Sequence, residues 1–237
     1  MPVSVYASLG RQEGLMREME VVANNLANSS TVGYKSDRAV FSEFIVSGGR
    51  DAPSVSMGGL GGHAFDLTQS SLAFTGSNFD LALQGEGYFL VRTDAGDRLT
   101  RAGHLQISSE NELIDANGNA VLEAGGNPIT VPPAVEQLSV GSDGSISADG
   151  ELIGQIGIVL PNDQILRDSN TYFSAPDGFT PTQGATIIQG ALEQSNVSPV
   201  LEVSRMIEVQ RAYEAGQAML EREDQRLTQL ISAVRRR

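Results

Sequence analysis

The side chains that ordinarily do chemistry are thinly spread in this sequence. Histidine occurs twice, at His63 in a glycine-rich stretch and at His104 in an alternating one, and cysteine does not occur. A zinc or transition-metal site needs several imidazole or thiolate ligands at short spacing, and neither histidine has such a neighbour. Asp143-Gly144 and Asp149-Gly150 place carboxylates six residues apart. With no acid between them they lack the ligand ladder of a calcium loop and read as hairpin turns. Ser29-Ser30 and Ser70-Ser71 sit in no nucleophile-elbow pattern, and no phosphate-cradling lysine motif occurs. Gly59-Leu60-Gly61-Gly62-His63-Ala64 has the look of a dinucleotide fingerprint, but without a predicted strand before it and a helix after it the glycines read as a linker. No catalytic, metal or cofactor site is expected.

Composition points the same way. The 26 glycines, 5% aromatic residues and absence of Trp favour a turn-rich, β-containing body. Charge is unevenly distributed. Residues 1–46 carry 4 Lys and Arg against 5 Asp and Glu, residues 197–237 carry 7 against 6, and residues 47–196 carry 5 against 18. Near-neutral ends suit close packing against copies of themselves, and an acidic middle suits a solvated surface. With one lysine, Lys35, and no basic patch, nucleic acid is not an expected partner. No run approaches 18 apolar residues, so no membrane insertion is expected, and the N-terminus lacks the pattern of a cleaved signal peptide.

The elements that organise the chain are its two ends. Met206, Tyr213, Leu220, Leu227 and Val234 recur at a strict seven-residue spacing, with Val209, Leu230 and Ile231 on the same side. Such a repeat lays one apolar stripe along a helix. Ser198 reads as the N-cap, Pro199 as the first helical residue, and Glu202 as the acid that suits the first turn. From Pro199 to Val234 the helix would run about 54 Å at roughly 1.5 Å per residue, too long for one compact domain to cover. Gly216 on this stripe predicts that another backbone approaches closely there. Near the N-terminus Val5, Leu9, Met16, Met19 and Leu26, flanked by Leu15 and Val22, form a second helical stripe. Both a two-helix element packed on a globular core and an intermolecular bundle fit this patterning, and in the second case both ends are disordered in the monomer.

Between the ends the apolar period shortens to two. Phe79, Leu81 and Leu83 alternate, and Tyr88 to Arg92, Arg98 to Ser108, Glu112 to Asp115 and Ala120 to Leu122 read as strands, with Asn117-Gly118 as a hairpin turn. Pro128 to Val131, Leu138 to Val140, Ser145 to Ser147 and Leu152 to Leu160 follow, as expected of a small sandwich or barrel. The expected organisation is α+β: residues 1–30 an N-terminal helix, 31–78 an extended connector with the glycine-rich segment, 79–192 an all-β domain, and 193–237 a C-terminal helix that pairs with the first as a coiled coil.

Three asparagines in five positions, Asn24, Asn25 and Asn28, exceed what one helix C-cap needs. Asn24-Asn25-Leu26-Ala27-Asn28, followed by Thr31-Val32-Gly33-Tyr34-Lys35, resembles the N-terminal signature of the bacterial flagellar axial proteins, which include rod, hook and hook-associated subunits. Asp80 to Phe89 and Leu99 to Gly103 resemble the central segment shared by rod and hook proteins, and Gly190 to Val197 the family's C-terminal motif. Ser198-Pro199-Val200 is most similar to the proximal-rod branch, and Arg38-Ala39-Val40-Phe41 to the distal-rod branch. The resemblance implies a structural, non-enzymatic subunit of the periplasmic rod, without cofactors. It also implies passage through the flagellar export apparatus without a cleaved signal peptide, and assembly with itself and other rod proteins. The expected assembly residues are Val5, Leu9, Met16, Met19, Leu26, Met206, Tyr213, Gly216, Leu220, Leu227 and Ile231. The competing reading is a secreted β-domain enzyme or glycan-binding module with a helical dimerisation hairpin, disfavoured by the lack of Trp and of paired catalytic carboxylates.

Overall fold

The computed structural model describes residues 3–46, 55–133, 135, 137–182 and 184–235, with the side chains at 3–7, 43–46, 55–60, 227, 230 and 234 left aside. Two compact units are present. One comprises residues 1–27, 36–66 and 197–237, and the other residues 28–35 and 67–196. The chain therefore passes between them four times, at 27/28, 35/36, 66/67 and 196/197.

The helical unit holds α1 (Val3–Ala27), α2 (Pro199–Arg235) and an antiparallel hairpin of β1 (Asp37–Val46) and β2 (Val55–Phe65). Proline begins α2 where its missing N–H is harmless, and Glu202 N donates to Ser198 O at 3.0 Å to close the first turn. The hairpin corrects the expected connector. Of the glycines that compositionally resemble a linker, Gly58, Gly59 and Gly62 pair in register with Glu43, Ser42 and Val40, and Gly61 is the extra residue where the register shifts at Val40/Phe41. Absence of side chains is what the site demands: a Cβ on Gly61 would come within 2.7 Å of Ser42 Oγ, and one on Gly14 of α1 within 2.9 Å of the Phe41 ring. Gly59 to Gly62 thus lie inside a strand, which removes the dinucleotide reading on structural grounds as well.

The β-rich unit contains β3 (Leu72–Phe74), β4 (Leu81–Gly85), β5 (Tyr88–Thr93), β6 (Gly96–Thr100), β7 (Leu105–Ile107), β8 (Leu113–Asp115) and β9 (Ala120–Val121). After these come β10 (Leu138–Val140), β11 (Ser145–Ala148), β12 (Glu151–Gln155), β13 (Ile158–Pro161), β14 (Leu166–Arg167), β15 (Tyr172–Ser174), β16 (Phe179–Pro181), β17 (Ala185–Gln189) and β18 (Ala191–Glu193). A nine-stranded sheet runs β14-β15-β6-β5-β9-β8-β7, with β13 bridging β5 and β16; β10-β11-β12 form a meander, and β17-β4 and β18-β3 are separate pairs. Leu81, Leu83, Phe89, Val91, Leu113, Val121, Ile146, Ile158 and Ile187 share one buried core.

Two expected strands are interrupted, and the backbone shows why. Arg98 to Ser108 breaks at Arg101–Gly103, where a Cβ on Gly103 would overlap the Leu81 carbonyl oxygen. Leu152 to Leu160 breaks at Gly157, where a Cβ would stand 2.7 Å from Ala124 N. Pro128 to Val131 makes only isolated bridges, Leu122 with Pro128 and Glu112 with Thr130. The Asn117-Gly118 turn joins β8 to β9 as expected, with Gly118 at φ 86° and its N–H on Asp115 O. Inside that hairpin Tyr172 OH donates to Asp115 Oδ2 and accepts from Asn117 Nδ2 at 2.6 Å and Asn119 Nδ2 at 2.9 Å. Burial pushes this phenol up to about 12.

Two outcomes follow from this packing. Gly103→Ala, meeting backbone rather than a yielding side chain, should lower the stability of the β-rich unit by about 3 kcal/mol, whereas Gly118→Ala, strained only by its φ in open space, should cost about 1 kcal/mol; urea unfolding of both variants measures the difference. Because the Tyr172 phenol is raised above its unfolded value near 10, its contribution is intact below pH 10 and is lost between pH 10 and about 12. Tyr172→Phe should therefore flatten that stretch of the stability-against-pH curve.

Candidate assembly interface

In the helical unit α1 packs against α2 and against the hairpin, burying Gln12, Val21, Val22 and Asn25, while α2 buries Val209. Arg205 grips Glu18 Oε1 with two guanidinium nitrogens, at 3.0 and 2.9 Å. Gln12 Nε2 donates to Tyr213 O at 3.1 Å. Gly216 lies directly beside that amide, and a Cβ there would overlap Gln12 Nε2. The close approach expected at Gly216 is real, but its partner is a side-chain amide and not a second backbone.

The sequence-predicted stripe is only partly covered. Met19, Leu26, Met206, Tyr213, Gly216 and Leu220 are half-buried. Leu9, Met16 and Ile231, together with Val200, Leu201 and Met219 which the stripe did not include, are more than half exposed. The side chains of Val5, Leu227, Leu230 and Val234 lie outside those described. Between the helices an open groove of about 590 Å³ is lined by Leu15, Glu18, Leu201, Ser204, Arg205, Glu208, Val209 and Ala212. The structure thus half-buries six of the eleven expected residues, bringing Tyr213 and Gly216 against Gln12, and leaves apolar side chains exposed on the same two helices.

The asparagine motif divides between the units. Asn24 is exposed in the last turn of α1, Leu26 is half-buried, and Ala27 ends the helix. Asn25 is buried, and its amide mimics a strand partner: Nδ2 donates to Asp37 O at 2.8 Å and Oδ1 accepts from Asp37 N at 3.0 Å. This ties the end of α1 to the start of β1 across residues 28–35. Those eight residues belong to the β-rich unit. There Asn28 is buried, its Oδ1 accepting from Thr31 Oγ1 and its carbonyl from Thr31 N, so both groups shape one turn. Gly33 follows at φ 70°, where a Cβ would overlap Ala102 N, so both conformation and space require glycine.

The residues that sequence reasoning missed are the charged ones at the end of this excursion. The single lysine, Lys35, is wholly buried; its Nζ donates to Glu193 Oε1 at 2.6 Å and to Thr68 O at 2.7 Å. Arg101 Nη1 reaches Glu193 Oε2 at 3.2 Å and Nη2 donates to Gly85 O at 2.9 Å. Ser70 N donates to Glu193 Oε1 at 2.9 Å, and Gly33 N to the Glu193 carbonyl at 2.8 Å. Beside them Arg167 stacks over Tyr34, 4.5 Å from the ring centre, and donates to Lys35 O. Two cations and one anion are thus sealed from water, which calls for close hydrogen-bonded geometry to offset desolvation. The Tyr88 phenol is pushed up by burial, against the opposing pull of Arg101, 5.2 Å from its ring. A lone lysine straight after Gly33-Tyr34 in so acidic a chain was the one available signal.

Comparison with known proteins assigns each charge of this cluster to a different matched segment. Residues 6–35, ending at Lys35, match the family described as flagella basal body rod protein. Residues 82–148, with Gly85 and Arg101, match the flagellar hook protein FlgE/F/G D1 domain, and residues 188–233, with Glu193, match the flagellar basal body rod FlgEFG protein C-terminal family. Over whole chains, the flagellar basal-body rod protein FlgF of Caulobacter vibrioides is 36% identical, covering 93% of each chain. FlgF of Mesorhizobium japonicum is 35% identical, covering 93% of this chain and 92% of its own. FlgG of Bacillus subtilis is 29% identical over 98% and 99%.

The Gln12–Gly216 contact is testable as a cycle. Gly216→Ala gains about 1 kcal/mol of helix propensity but displaces an amide whose hydrogen bond is worth a similar amount, so alone it should be close to neutral. In a Gln12→Ala background the same change should stabilise by about 1 kcal/mol, read from urea unfolding of the helical unit.

Proposed function

The chain belongs to the flagellar basal-body rod protein family, a family of structural subunits and not of enzymes, and we propose that it builds into the rod through the uncovered faces of α1 and α2. The single observation that carries this is the apolar surface left on two helices that already touch: Leu9, Met16, Val200, Leu201, Met219 and Ile231 are exposed, and Leu201 also lines the open groove between the helices. Leaving so many large apolar side chains in water on one element is unusual for a monomer and is the mark of a protein interface. The occupant is a helix of the same kind, from another copy or from another rod protein. In the assembled state the seven-residue stripe from Met206 to Val234 is covered by such a neighbour.

Charge supports the same division. The helical unit carries 11 Lys and Arg against 13 Asp and Glu, and the β-rich unit 5 against 16. Copies can approach through the first without a large repulsion, whereas the second repels its like and suits an outward, solvated position. The higher identity to two FlgF relatives, 36% and 35% against 29% and 31% for FlgG, supports a proximal over a distal place in the rod. A periplasmic location, reached by flagellar export, accords with a chain free of cysteine, which has no disulfide to form on arrival. Among the described residues no helix is long and apolar enough to cross a membrane. Nor do three or more His, Asp or Glu side chains gather among those residues as a metal site would require.

Because Leu9 and Met16 contribute little to the fold of one chain, Leu9→Asp and Met16→Asp should change its unfolding free energy by no more than about 0.5 kcal/mol. Sedimentation across concentration should nevertheless show both variants monomeric where the parent chain forms open assemblies, and neither should restore motility to cells lacking the gene. Assembly by both variants would remove this face as the interface.

A further inference from the structure

The turn at Asn117-Gly118 holds a reactive pair. In an extended chain the Gly118 amide nitrogen, giving its proton to hydroxide, can bond to Asn117 Cγ. The Cγ–Nδ2 bond then breaks with loss of ammonia, and water opens the resulting cyclic imide at either carbonyl, leaving aspartate or isoaspartate. Glycine eases the attack because no side chain shields its nitrogen. We infer that Asn117 is a site of deamidation, and that the Tyr172 phenol keeps it shut once the β-rich unit has folded.

Both reactants are committed elsewhere in the fold. Gly118 N donates to Asp115 O at 3.1 Å, which ties the nucleophile into the turn. Asn117 Nδ2 donates to Tyr172 OH at 2.6 Å, which ties the carboxamide to β15, and Asn117 N donates to Asp115 Oδ1 at 2.9 Å. The phenol is used to capacity: its one hydrogen goes to Asp115 Oδ2 and its lone pairs take the amides of Asn117 and Asn119. Asn117 itself is exposed, so hydroxide reaches it and geometry alone protects it. That protection is not local. Tyr172 stands 55 residues later, on a strand that pairs with β6 and not with the hairpin. Neither product restores the tie. A carboxylate at 117 accepts where the amide donated, and isoaspartate adds a methylene to the main chain inside the turn that Asp115 and Gly118 close. Burial pushes the phenol up to about 12, so its proton stays in place across the mildly alkaline range where hydroxide drives the reaction. None of this depends on how α1 and α2 assemble.

Deamidation is followed on the full chain at mildly alkaline pH by mass spectrometry of the peptide spanning residue 117, in buffer and in strong urea. The folded parent should react at least about a hundredfold more slowly than the same chain in urea, because attack waits on local opening. Tyr172→Phe, which keeps the ring and removes the hydroxyl, should react about tenfold faster than the parent in buffer and at the parental rate in urea. Gly103→Ala, which loosens the same unit away from the hairpin, should leave the folded-state rate at the parental value. Equal rates for the parent in buffer and in urea would overturn the protection. A parental rate for Tyr172→Phe in buffer would overturn the role of the phenol. So would equal acceleration by Gly103→Ala, since global stability would then be the guard. Should Tyr172→Phe fail to fold, the parent in rising urea decides. Below the unfolding transition a local tie gives a rate nearly independent of urea, whereas a rate climbing with the unfolded fraction removes Tyr172 from the account.

Discussion

A carboxylate that must answer two cations in a place without water leaves little freedom to whatever carries the three groups. Glu193 also takes the Ser70 amide, while its own carbonyl takes the Gly33 amide, so side chain and backbone draw on separate stretches of chain. Such a cluster is a poor source of net stability, since hydrophobic replacements of equal shape often do as well. Its value lies in selection among arrangements, since Lys35 and Arg101 are both buried against the Glu193 carboxylate. The glycines nearby follow from this. Gly33 and Gly103 occur where backbone lies against backbone, and the close approach at each brings a charged neighbour into reach.

The same economy governs the surface. Of the five cations in the β-rich unit, Lys35 and Arg101 meet Glu193, Arg92 meets Asp97, Arg98 meets Asp168, and Arg167 is spread over Tyr34 and the carbonyls of Lys35 and Asn170. Every positive charge is engaged within the unit, and most of the acids are left to the solvent. The helical unit shows the opposite bias, with charges nearly in balance and methionine, leucine and valine at the surface. One unit turns an excess of acids to the solvent, and the other a near-balance of charge with apolar side chains among it.

Much of this was legible where local chemistry decides local structure. Ser198-Pro199 marked the start of α2, and Asn117-Gly118 marked a turn, because each depends on backbone preferences that neighbours do not override. The hairpin of β1 and β2 was not legible: glycines chosen for closeness to Ser42 and Phe41 have the composition of a linker. Neither was the placement of Asn28 to Lys35, since nothing local distinguishes a loop that exits a helix from one that enters a second unit. The seven-residue stripe marked an apolar face along α2 but not its partner, because periodicity records that a face is apolar and not what covers it. Gly216 illustrates the limit, as its missing side chain accommodates Gln12, a residue more than two hundred positions earlier.

Sealing the sole lysine has a consequence for reagents. In the folded β-rich unit no ε-amino group reaches water, so acylating agents, aldehydes and lysine-directed transferases find no target there, whereas an extended chain offers them one at residue 35. The primary amine is thus a chemical record of the chain's history: a label at that position can only have been acquired while the unit was open, and once acquired it bars the ammonium from its place beside Glu193.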